Sequence, residues 1–143
     1  MEQALERAVA NGVKQLVVQP THLMHGAEYD EMCAAIDKVR DQFDSVEIAE
    51  PMLGEVGNDA TVINADKEAV AKAVVAAALE ESGYESTAAA KDAGVAYVLM
   101  GHGTAHVAKV TYSQMATQMA NLGYETCSSA PWRASPRRPP ARP

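Results

Sequence analysis

The chain has 143 residues, 48% apolar but only 5% aromatic, and a formal charge of −7. This composition suits one compact region whose core area comes from Val, Ile, Leu and Met, since alanine alone takes 27 positions. Residues 1–126 hold all 19 acidic residues against eight basic ones, a net of −11, which excludes binding of a nucleic-acid backbone by this body.

No run approaches the roughly 20 apolar residues of a bilayer span, so membrane insertion is excluded. The acidic, amphipathic Glu2–Asn11 is unlike a secretory leader. Cys33 and Cys127 are too few for a disulfide framework, and a reducing cytoplasm is the expected compartment.

Leu5, Ala8 and Val9 recur at helical spacing in Glu2–Ala10, with Gly12 placed to end the helix. The run Gln15–Gln19 before Pro20 predicts a strand buried on both faces. After a loop at Thr21–Ala27, a stripe of Tyr29, Met32, Cys33, Ile36, Val39 and Phe43 predicts a second helix. Ser45–Met52 predicts the second strand and Gly54–Asp59 a loop. Asn64 or Asp66 caps the next helix, whose buried stripe is Ala69, Val70, Ala73, Val74 and Ala77, and Gly83 ends it.

Val95–Met100 predicts a third strand, followed by the Gly101-His102-Gly103-Thr104 loop. A last helix carries Ala108, Tyr112, Met115, Met119 and Leu122 on one face and closes at Gly123. Strand and helix alternating at this spacing imply an α/β fold, an open parallel sheet flanked by helices. In such sheets ligands bind beyond the carboxyl ends of the strands, so the loops after Gln19, Met52 and Met100 should share one rim.

All four histidines fall on that rim: His22 and His25 after the first strand, His102 and His106 after the third. Imidazole titrates near neutrality and serves as base or metal ligand. A loop histidine more often bonds the backbone, but four together point to a site. Glu28 adds a carboxylate in the first turn of the second helix. Gly101-x-Gly103 lacks the third glycine and the lysine of phosphate loops. Cys33 and the Met115/Met119 pair read as packing residues.

The segments Val17–Asp30, with Pro20-Thr21-His22-Leu23-Met24-His25-Gly26-Ala27-Glu28-Tyr29, and Met100-Gly101-His102-Gly103-Thr104-Ala105-His106 resemble those of the anaerobic-type cobalt chelatases, the sirohydrochlorin cobaltochelatases. The resemblance covers about residues 1–125. It implies a chelatase-like (type II chelatase) region within a two-domain fold, with the tetrapyrrole held between two similar α/β halves. It further implies insertion of Co(II) into sirohydrochlorin in anaerobic cobalamin synthesis, with cobalt as substrate metal and no organic cofactor. On this likeness His102 is metal ligand and proton acceptor, and Glu28 is a catalytic cleft carboxylate. His22, His25, Gly101, Gly103 and His106 are candidates for contacts to substrate.

The family's opening strand, its Gly-Thr-Val-Glu-Gly glutamate and a later histidine ligand have no counterpart in the chain. Two further readings stay open: a non-catalytic remnant or metal-binding half-domain of that family, and a flavodoxin-like small-ligand module. Association of like chains is also open.

Residues 126–143 are rich in Pro and Arg, without acid or apolar periodicity, and read as a disordered tail. Thr126–Arg138 can be written in permitted codons that, displaced by one base, encode Asn-Val-Phe-Ile-Gly-Thr-Val-Glu-Gly-Glu-Pro-Glu-Glu, which contains the absent glutamate segment. The tail is therefore expected to be a frameshift product.

Overall fold

The computed structural model describes residues 1–124 and the backbone of 127–131. In chain order the elements are α1 (Glu2–Ala10), β1 (Gln15–Val18), α2 (Ala27–Asp37), β2 (Ser45–Ile48), α3 (Ala65–Ser82), α4 (Thr87–Asp92), β3 (Tyr97–Gly101), α5 (Val110–Asn121) and β4 (Cys127–Pro131). Short 3-10 turns at Arg40–Gln42 and Val107–Lys109 precede β2 and α5. The expected alternation of parallel strands and flanking helices is present.

The strands do not share one sheet. β1 pairs with β2 from Gln15↔Ser45 to Val18↔Ile48, and β3 pairs with β4 from Tyr97↔Cys127 to Gly101↔Pro131, both in parallel. β4 occupies the first residues of the segment that composition set apart as a tail. A strand edge recruits its neighbour through main-chain groups, which every residue but proline carries in full, so β3 can pair with a sequence of weak strand propensity. The disordered, displaced-frame tail expected over residues 126–143 lies outside the described residues apart from the backbone of β4.

Each sheet has its own core. Leu5, Tyr29, Met32 and Ile36 form one buried cluster, against which Leu16, Val18, Val46 and Ile48 pack. Leu53, Ala71, Val75, Met115 and Met119 form the other, with Leu99 and Leu122 against it. Met115 and Met119 are thus core residues, as their helical spacing implies, and Cys33 packs against the first cluster.

The expectation that the strand at Gln15–Gln19 is buried on both faces is corrected. Val17 is 71% exposed, and in β3 Val98 and Met100 are 63% and 68% exposed. Helices cover one face of each pair, while parallel strands usually lie between two layers.

Local signals account for most boundaries. Asn64, not Asp66, caps α3, its Oδ1 accepting the Lys67 amide at 2.9 Å, and Gly83 ends the helix in the left-handed region at φ +75°. The second helix stops at Asp37, short of the expected Phe43. Beyond it the Val39 and Gln42 amides bond three residues back, to Ile36 and Val39, and this tighter winding turns Phe43 into the core by another route. The sequence reading missed α4, a six-residue helix capped by Ser86, whose Oγ accepts the Ala89 amide at 3.1 Å.

Candidate functional site

The loops leaving β1 and β2 are stitched together beyond the strand ends. Main-chain bonds run from Met52 N to His22 O at 3.0 Å and from Leu53 N to Leu23 O at 2.9 Å. Glu50 is thereby set beside His25, its Oε2 lying 2.5 Å from Nε2. The His25 ring lies against Tyr29 with centroids 4.2 Å apart, while His22 meets Tyr29 edge-on at 6.1 Å. The His22 Nδ1 is buried with no hydrogen-bond partner among the described residues.

Tyr29 is the hub of this loop, and its phenol is pushed from the usual 10.0 up to about 12. Burial is the main cause, followed by Cys33 and then the Glu50 and Asp30 carboxylates. An acid weaker in the folded chain than in the unfolded one stabilises the fold fully below pH 10, and that stability is lost as pH rises toward 12. An alkaline titration of phenolate absorbance should therefore show one of the five tyrosines ionising near pH 12, and Tyr29→Phe should remove that step. Five tyrosines titrating together near 10 would contradict this account.

The β3 loop joins the same rim through His106. Its Nδ1 accepts the Ala108 amide at 3.2 Å, so the proton resides on Nε2, which donates to Asp30 Oδ2 at 3.0 Å. Both nitrogens are engaged, and His106 acts as a bolt between α2 and the start of α5. The three strand ends therefore meet at one rim even though the sheets are separate. A cavity of about 220 Å³ between them is lined by Leu23, Met24, Leu53, Met100, Gly101 and Tyr112, among others.

His102 is engaged on one side only. Its Nδ1 donates to the Gly103 carbonyl at 2.5 Å, and the exposed ring leaves Nε2 with its lone pair and no partner among the described residues. The flanking glycines have separate physical reasons. Gly103 takes φ +76°, and its amide donates to the Tyr112 hydroxyl at 3.0 Å. At Gly101 a Cβ would stand 2.5 Å from the Tyr112 ring.

Glu28 is exposed and faces an open groove of about 750 Å³ with His22, Glu31, Met32 and Lys38. No hydrogen bond joins Glu28 to His102 among the described residues. The rim thus brings His25 to Glu50 and His106 to Asp30, groups Glu28 with His22, and leaves His102 by itself. No three His, Cys, Asp or Glu side chains are grouped to hold a metal ion among the described residues. Sequence reasoning missed Glu50, Asp30 and Tyr112. Glu50 follows β2 directly on the rim, and that position was the available signal.

An imidazole at the carboxyl end of parallel strands, one nitrogen tied back and the other open, is arranged as metal-ligating histidines generally are. The family described as Cobalt chelatase (CbiK) matches residues 1–137, and the chain belongs to that family. A search of curated proteins found no match. The assignment displaces the flavodoxin-like alternative. Among the described residues no helix is long and apolar enough to cross a membrane.

Proposed function

We propose that this cobalt chelatase acts on sirohydrochlorin as a lyase-class enzyme of anaerobic cobalamin synthesis in the cytoplasm, with His102 as both metal ligand and proton acceptor. The observation that carries the reading is the open Nε2 of His102, held by the Nδ1 bond to Gly103 in the tautomer whose lone pair faces outward. Insertion requires two pyrrole N–H bonds to break, each leaving its electron pair on nitrogen for the entering Co(II). Nε2 has a single lone pair, so it takes the protons, one at a time and on to water, only once the cation has left it for the ring. A borderline cation accepts imidazole and carboxylate ligands and can leave them for four ring nitrogens.

Glu28 is the proposed cleft carboxylate, with His22 beside it in the groove. His25, Gly101 and Gly103 shape the rim around substrate, and His106 contributes by fixing that rim through Asp30. In this proposal the tail is a displaced-frame product, whose neighbouring frame carries the Gly-Thr-Val-Glu-Gly segment. Sequencing the gene after the Glu125 codon tests it: a neighbouring frame unable to yield Gly-Thr-Val-Glu-Gly ends the idea.

A second reading is a non-catalytic remnant or metal-binding half-domain of the family, since among the described residues no three His, Cys, Asp or Glu side chains are grouped to hold a metal ion. Following cobalt insertion into sirohydrochlorin by its absorbance change separates the two. A rate above the protein-free background supports the enzyme reading, and a folded chain with no such rate supports the other.

A further inference from the structure

Lys67 is fully buried, and no step in the proposed chemistry uses it. It lies in the first turn of α3, and its Nζ reaches back to donate to Leu53 O at 2.9 Å and Glu55 O at 2.6 Å. The same two carbonyls accept the Asn64 side-chain amide, each at 3.2 Å. Burying an ammonium is costly unless its protons are bonded, and desolvation lowers its proton affinity. A cap alone needs no such group, because Asn64 already supplies one.

What these bonds hold is the segment that carries the histidine loop. Met52 N and Leu53 N donate to His22 O and Leu23 O, and Glu50 in the same segment pairs with His25. Residues 21–26 have no helix or strand of their own, and their only other main-chain bond within the loop runs from Gly26 N to Met24 O, among the described residues. The order of support is therefore α3, then Lys67, then residues 50–55, then His22 and His25.

We infer that Lys67 is a positioning residue for the His22–His25 loop, acting through the carbonyls of Leu53 and Glu55. Its functional meaning rests on the reading that this loop faces substrate, but the positioning can be measured without metal or tetrapyrrole. The test compares the imidazole C–H NMR resonances of the full chain at one pH, wild type against Lys67→Met. A merely structural lysine would lower stability and leave those resonances where they were.

The expected result is displaced His22 and His25 resonances as residues 50–55 shift beneath their loop, with His106 unchanged. A folded Lys67→Met chain with wild-type His22 and His25 resonances overturns the inference, and so does an equal displacement of all four histidines. Should Lys67→Met fail to fold, Asn64→Ala carries the test, since it removes two of the four bonds to the same carbonyls. It should move His22 and His25 in the same sense by less, and unmoved resonances there overturn the inference equally.

Discussion

Replacing Gly101 with alanine is expected to disturb the turn that holds His102. The new Cβ would stand 2.5 Å from a Tyr112 ring carbon and 2.7 Å from its hydroxyl, well inside van der Waals contact. Gly101 ends β3, whose backbone is paired with β4, so the strand cannot retreat without breaking its ladder. The ring must move instead, and with it goes the hydroxyl that accepts the Gly103 amide. Overpacking of this kind costs about 1–3 kcal/mol. The greater effect is on His102, whose Nδ1 bond depends on where the Gly103 carbonyl is held. Gly101→Ala should lower the urea midpoint and disturb the His102 imidazole resonances. A variant with wild-type midpoint and wild-type His102 resonances would show that Tyr112 does not brace this turn.

Ile36→Ala should strongly destabilise the first half of the chain. Ile36 is completely buried among Leu5, Tyr29 and Met32, beneath the β1–β2 pair. Removing its branched side chain forfeits transfer energy and leaves a cavity, together about 2–5 kcal/mol. Against a typical total of about 5–15 kcal/mol this is a large share, and the bare faces around Val17 and Val98 leave the fold less apolar burial than two covered sheets would. The control is Val17→Ala, expected to change stability by less than about 0.5 kcal/mol because Val17 is 71% exposed. Urea unfolding distinguishes them through the midpoint at unchanged slope. Equal midpoints for the two variants would mean that the first cluster is not the core of its sheet.

The sequence was most legible where a local chemical signal sufficed. Asn64 and Gly83 bracket α3 because a cap amide bond and a left-handed turn are decided within a few residues. The imidazole rim followed from strand ends, since histidines placed just beyond parallel strands must meet near one edge. Non-local facts were not legible. Nothing in the apolar run Leu16-Val17-Val18 says whether a second layer will cover it, and Val17 proved exposed. The partners of His25 and His106 lie 25 and 76 residues away, so no spacing rule could pair them. The short α4 has a serine cap but no stripe long enough to announce it. At the site, the type of residue was readable from sequence, and its remaining hydrogen-bonding capacity was not. The structure distinguishes His106, with both nitrogens engaged, from His102, with one open.

The most direct measurement of the account is the initial rate of cobalt insertion into sirohydrochlorin by the chain and by its His102→Ala variant, with folding verified by circular dichroism. Loss of a positioned base that also binds the metal predicts a fall of about 100-fold or more. Equal rates from the two proteins would contradict the assignment of proton acceptance and metal contact to His102.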